Sequence, residues 1–152
     1  MFQTKRVVLF GDCDPAGAVY TPRIAHYVVE ADLEFLTHAL GSPAERSLME
    51  QAILPPARAL NLEFLSPMVW DDEITVSVSV LGLGQHSFTL QFAGRNQHDI
   101  ETFRGTITHV CVSSQTKRPI DLPPVLRDCL ASHSVGQASS SDLPAAPEQG
   151  GG

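Results

Sequence analysis

The chain of 152 residues reads as an α+β domain: an antiparallel sheet of about five strands wrapped around one long central helix. Three observations predict this. A helical pattern runs without interruption from Pro22 to Leu40, with apolar residues on two adjoining stripes, so burial around most of its circumference is expected. From Ala52 onward the apolar period drops to two, the signature of half-buried strands. That alternation recurs in separate segments divided by glycine-rich and polar turns.

In chain order, the first element is the strand-like run Val7-Val8-Leu9-Phe10. The long helix follows, with Thr21 as its N-cap, Pro22 at its first position and Gly41 closing it. Ile24, Tyr27, Val28, Ala31 and Phe35 form one stripe, and Val29, Leu33, Leu36 and Leu40 the other. Arg23, His26, Glu30, Glu34 and Thr37 share the polar face. Ser42-Pro43-Ala44-Glu45 reads as a capping box opening a shorter helix that ends before Ile53. Strands are expected around Leu60-Leu62-Phe64, Ile74 to Val80, Phe88 to Phe92 and Ile107 to Val112, with turns at Gly82 to Gln85 and Gly94 to Asp99, and Ser66-Pro67 ending the first of the four. Residues 1–131 thus make one domain, and 132–152, rich in Ser, Gly, Ala and Pro, an expected disordered tail. No internal repeat is visible.

Net charge is −7 with pI near 5.2, and the ten Lys and Arg residues are scattered. Nucleic acid and anionic membranes are therefore excluded as partners, since either requires a concentrated basic patch. Cys13, Cys111 and Cys129 form no CxxC pair, and no apolar run resembles a signal peptide or a transmembrane helix, so a reducing, cytoplasmic location is expected.

Chemistry concentrates in Phe10-Gly11-Asp12-Cys13-Asp14-Pro15-Ala16-Gly17-Ala18-Val19-Tyr20. Carboxylates lie just ahead of a helix N-terminus, whose unpaired N–H groups can polarise a carbonyl or hold an oxyanion while a carboxylate attacks or activates water. Acyl transfer suits that arrangement. The same Asp-Pro-x-Gly pattern also caps turns, so Asp14 carries both readings. Asp12 reads as a supporting residue, and Cys13, facing away from both carboxylates if the stretch is extended, as packing. Pro15 rigidifies the turn, and Gly17 allows a positive φ or close approach of substrate. No spaced His cluster accompanies the carboxylates, so no metal is expected. His26 and Glu30, four apart, read as a solvated or interface pair.

This motif, followed by an aromatic and a long helix, resembles that of the hot-dog-fold thioesterases, most closely the 4-hydroxybenzoyl-CoA thioesterase branch, over Thr4 to Leu130. The resemblance implies that Asp14 is the catalytic carboxylate, as nucleophile or as general base, and that the Thr21 N–H, near Gly17, polarises the substrate carbonyl. It implies a homodimer or homotetramer with the acyl pocket at a subunit interface, where Val19 and Tyr20, with Ile24 and Phe64, line the pocket or belong to the core. Relatives carry an acidic residue nine positions after the aromatic; Val29 stands there and Glu30 follows it, so that role does not transfer. Gln85-His86-Ser87 offers no basic residue where aryl-CoA enzymes meet the nucleotide phosphates, which leaves Lys117 and Arg118 as candidates or an acyl-carrier protein as the thioester's carrier. The implied activity is hydrolysis of an acyl- or aroyl-thioester without metal or redox cofactor, coenzyme A or phosphopantetheine being part of the substrate. Rival readings are a non-catalytic acyl-binding module, against which Asp14 argues, and a dehydratase or isomerase, for which the histidines form no recognisable motif.

Overall fold

The computed structural model describes residues 1–41 and 43–135. Its elements are β1 (Phe2–Val7), α1 (Thr21–Leu40), α2 (Ala44–Glu50), β2 (Ile53–Leu54), β3 (Ala57–Phe64), β4 (Glu73–Leu83), β5 (Ser87–Arg95), β6 (Glu101–Val110), β7 (Val112–Ser113) and α3 (Pro124–Ala131). Five strands make one antiparallel sheet in the order β1-β4-β5-β6-β3, and β2 pairs with β7 beside it. Alternation decides which face is buried. Ile74, Val76, Val78 and Val80 of β4, Phe88, Leu90 and Phe92 of β5, and Phe103 and Ile107 of β6 turn inward onto Tyr27, Val28, Ala31, Phe35 and Leu36 of α1. Each such side chain contributes about 1.5–3 kcal/mol on leaving water. Leu48 of α2 and Leu126 and Leu130 of α3 extend the core.

Several expectations are corrected. The first strand is Phe2–Val7, not Val7 to Phe10. After it Val8 donates its N–H to Asp72 O (2.8 Å), and Phe10–Asp12 tighten into a single 3₁₀ turn because Asp12 accepts the Leu9 N–H. Thr21 is the first helical residue and Tyr20 the N-cap, without a side-chain capping bond. Gly41 does close the helix, at φ 70°. Of the second apolar stripe, Leu36 is buried but Val29 and Leu33 are exposed, so the helix keeps an open flank. The α2 N-cap is Pro43, and the Ala44 N–H is taken by Thr37 Oγ1 of α1 (3.2 Å); Ser42 of the expected capping box lies outside the described residues. Helix α3 was not foreseen; it is short, eight residues, and buries only Leu126 and Leu130. Ordered structure also continues past 131: at the bulge where β4 slips against β5, the Val80 N–H bonds His133 O (3.0 Å) and Ser134 bridges Val80. Residues 136–152 of the expected tail lie outside the described residues.

One polar pair is built into this core. Asp32 of α1 and His109 of β6 are both buried. His109 Nε2 lies 3.0 and 3.1 Å from the two Asp32 oxygens and Nδ1 lies 2.8 Å from Pro55 O. Both ring nitrogens thus face oxygen acceptors, an arrangement that favours the imidazolium, and the ring stacks on Phe88 at 4.9 Å. Burial opposes that charge, but the Asp32 carboxylate and the Pro55 carbonyl outweigh it and hold the His109 pKa above its ordinary value. Asp32→Ala, which leaves that cation unpaired, is expected to lower unfolding free energy by about 3–5 kcal/mol in chemical denaturation. The folded protein binds the His109 proton more tightly than the unfolded chain does. The pair's contribution is therefore complete below about pH 6.5 and fades as pH rises through the raised folded value. A His109→Gln variant should lack that component of the stability–pH curve.

Candidate active site

The segment between β1 and α1 folds into a small hairpin, with Cys13 and Val19 as its last bridged pair. The Asp14 N–H donates to Ala18 O (2.8 Å), and the Gly17 N–H returns to Asp14 O (2.9 Å). Proline at the second turn position and a left-handed Gly17 (φ 86°) are what a type I turn closed by a glycine bulge requires. The expected role of Gly17 as a positive-φ residue holds. The Asp14 carboxylate is anchored on one side only: Oδ1 accepts the Ala16 N–H (2.9 Å), while Oδ2 has no hydrogen-bond partner among the described residues. Asp14 therefore caps its own turn and still presents a free oxygen. Asp14 borders an open cleft of ≈ 570 Å³ lined also by Phe10, Cys13, Pro15, Gly17, Val69 and Trp70.

Behind the cleft, Asp12 is buried and fully engaged. Tyr27 donates its hydroxyl to Oδ2 (2.7 Å), the Leu9 N–H donates to the same oxygen (3.2 Å), and Arg6 and Arg23 approach to 3.7 and 3.4 Å. Burial alone would raise the Asp12 pKa; the Tyr27 and Leu9 hydrogen bonds and the two guanidinium groups outweigh it and hold the group below the usual carboxylate range. Tyr27, buried against that carboxylate, has its own pKa pushed up. Arg6 lies over the Tyr27 ring at 3.6 Å and pairs also with Glu30, which His26 meets at 3.2 Å on the same helix. Asp12 and Asp14 thus serve different neighbours because Asp12 closes the 3₁₀ turn while Asp14 opens the hairpin. Cys13, half-buried, packs against the core as expected.

The remaining residues singled out from sequence scatter. Thr21 is exposed at the first position of α1, where its N–H has no acceptor within the helix. Tyr20 is exposed beside it, while Val19 and Ile24 are core residues and not pocket lining. Phe64 is exposed on edge strand β3. Lys117 and Arg118 sit in the tight turn after β7, closed by the Lys117 N–H to Ser113 O (2.9 Å) and the Ser113 N–H to Arg118 O (3.0 Å), and they do not line the Asp14 cleft. Cys111 is buried, its thiol pushed up to about 11, too protonated to act as a nucleophile. Among the described residues, no three His, Cys, Asp or Glu side chains are grouped to hold a metal ion, and no helix is long and apolar enough to cross a membrane. Sequence reasoning missed Phe10 and Trp70 at the cleft and Arg6 behind it. Tyr27 was read as core packing, although a buried phenol needs a hydrogen-bond partner.

Residues 8–130, covering the hairpin, the central helix and most of the sheet, match the family model of the thioesterase-like superfamily. The chain belongs to that superfamily. Its relatives include the 1,4-dihydroxy-2-naphthoyl-CoA hydrolase of Synechococcus elongatus, 30% identical over 131 residues that span 85% of this chain and 94% of that protein. The protein of the same name from Prochlorococcus marinus is 26% identical over 136 residues, 86% of this chain and 89% of that one. Among solved structures, a 1,4-dihydroxy-2-naphthoyl-CoA thioesterase from Synechocystis superposes with a TM-score of 0.78 at 19% identity, covering 86% of this chain and 95% of its own. A gentisyl-coenzyme A thioesterase gives 0.74 at 24% identity, covering 86% and 99%. These superpositions show the hot-dog fold that the motif implied. For this thioesterase-like chain, Tyr27→Phe should lower stability by about 1.5–3 kcal/mol, because it withdraws one donor from a buried carboxylate. Differential scanning calorimetry checks this, and an unchanged Tm would mean that Asp12 does not depend on the phenol.

Proposed function

We propose that the protein hydrolyses an acyl-thioester of coenzyme A, with Asp14 as the catalytic carboxylate. The observation that carries this is the half-tethered state of Asp14 at the edge of the cleft, one oxygen on the Ala16 N–H and the other without a hydrogen-bond partner among the described residues. In one route Oδ2 attacks the thioester carbonyl, the thiolate leaves, and water then hydrolyses the mixed anhydride; in the other Oδ2 takes a proton from water as that water attacks. In both routes the Thr21 N–H, at the positive end of α1, stabilises the oxyanion. The relatives' names, 1,4-dihydroxy-2-naphthoyl-CoA hydrolase and gentisyl-coenzyme A thioesterase, support an aromatic acyl group. The reading requires no resident metal or redox cofactor. Three free cysteines are in keeping with a cytoplasmic setting.

A second copy of the chain completes the proposal. Strand β3 is an unpaired edge whose residues are exposed or half-buried on both faces, Leu60 and Phe64 among them, and Val29 and Leu33 leave α1 with an apolar flank. Such an edge is a template for pairing with its own copy. Sedimentation velocity should accordingly show a dimer or tetramer.

Two substitutions test the chemistry. Asp14→Asn is expected to lower kcat for benzoyl-CoA, followed by release of free thiol, by about a hundredfold or more with Tm preserved; near-normal turnover would remove Asp14 from the mechanism. Charge reversal at Lys117 and Arg118 should raise KM for CoA esters about threefold while sparing pantetheine esters, fading in high salt. An equal response of both esters would make that pair a solvated turn and favour a carrier-protein substrate.

A further inference from the structure

Two large aromatic side chains stand out of the surface at the Asp14 cleft. Phe10 is 75% and Trp70 63% exposed, yet their rings meet edge to face, with centroids 5.6 Å apart and planes at 78°. Both line the cleft that holds Asp14, with Val69 between them in the lining. The backbone beneath is fixed. Val8 donates its N–H to Asp72 O (2.8 Å), Asp71 donates to Val8 O (3.0 Å), Val69 donates to Asp72 Oδ2 (2.9 Å), and Ala18 bridges Val69, so the loops bearing Phe10, Trp70 and Asp14 are laced to one another. Asp71, next to Trp70, is held at φ 71°, a left-handed conformation that disfavours any residue with a Cβ. A strained turn that keeps a tryptophan in solvent does nothing for the core.

We infer that Phe10 and Trp70 are specificity-determining residues, holding the planar ring of an aromatic acyl group beside the Asp14 carboxylate. This rests on the thioester-hydrolase reading. An edge-to-face pair leaves one ring face and one ring edge free, and a third aromatic ring complements both through the quadrupoles of all three. The adenine of coenzyme A is the other planar ring of such a substrate. It is separated from the thioester by the whole pantetheine arm and the pyrophosphate, so it does not share a cleft with the carboxylate that meets the carbonyl.

Trp70 is the chain's sole tryptophan, so its fluorescence reports on this slot directly. The experiment titrates the non-turning Asp14→Asn protein with benzoyl-CoA, with cyclohexanecarbonyl-CoA, which has the same ring size but no π face, and with coenzyme A alone. Benzoyl-CoA is expected to quench Trp70 at the lowest concentration, and coenzyme A alone to leave it unchanged. In the otherwise native enzyme, Trp70→Leu should lower kcat/KM for benzoyl-CoA about three- to tenfold more than for cyclohexanecarbonyl-CoA, with Trp70→Phe retaining most of the preference. Quenching by coenzyme A alone would assign the slot to adenine and overturn the inference. Equal losses on both esters, or a Trp70→Leu protein that falls apart in sedimentation, would overturn it in favour of packing against a second copy. If benzoyl-CoA quenches Trp70 but the native enzyme releases no thiol, ring recognition stands and the hydrolase reading falls.

Discussion

The Asp12 carboxylate lies where three elements meet. Arg6 comes to it from β1, the Leu9 N–H from the turn that follows, and Tyr27 and Arg23 from α1. A buried carboxylate without such partners would be strongly destabilising, and with only some of them it would take up a proton. Supplied with all of them it stays ionised and fixes where the chain leaves the sheet and where it enters the helix. The Asp14 hairpin hangs between those two points. Its outer end is also pinned, by the Tyr20 N–H to Asp12 O and the Val19 N–H to Met68 O, both 2.8 Å. The Asp14 carboxylate can therefore be half-free because the one before it is wholly committed.

The second buried charge pair, Asp32 with His109, acts at the other half of the helix and fastens it to β6 and to the Pro55 carbonyl ahead of β3. Hydrophobic burial alone leaves the helix free to slide, since apolar contacts are non-directional. Two charge clusters on the helix convert that loose packing into one position: Arg23 and Tyr27 fix the N-terminal half, Asp32 the C-terminal half. That fixed position is what sets the N-terminal N–H groups of α1 beside the hairpin.

How much of this could be read beforehand follows from the range of each interaction. The long helix, the four later strands and the Asp14–Gly17 turn are written in local periodicity and turn chemistry, so they were legible, Gly17 and Gly41 down to the sign of φ. Errors arose where a distant partner decides. Val7 to Phe10 reads as a strand until Asp12 takes the Leu9 N–H and closes the 3₁₀ turn. No sequence expectation attaches to Asp32, because the partner that makes its burial tolerable, His109, is 77 residues away. Thr37 takes the Ala44 N–H at the α2 N-terminus because α1 happens to pass there. Trp70 was invisible as a site residue because nothing in the sequence says that its loop lies against the one bearing Phe10.

Asp14 was read both as a turn cap and as a catalytic group; the structure shows the turn cap, and the proposed catalytic role is compatible with it. The Ala16 N–H holds Oδ1, which fixes the plane of the carboxylate and removes its rotational freedom before any substrate arrives. Pro15 and Gly17 keep that N–H in place by fixing the turn's backbone. The remaining oxygen has no hydrogen-bond partner among the described residues, and its residue lines the cleft. A carboxylate left entirely to solvent would rotate freely and be well hydrated, and one tied at both oxygens, like Asp12, would have nothing left to offer a carbonyl or a water. Tethering at one oxygen is the intermediate state that acyl chemistry can use, and the Asp14–Ala18 hairpin supplies the tether itself while the Asp12 cluster and the Met68 carbonyl hold that hairpin in place.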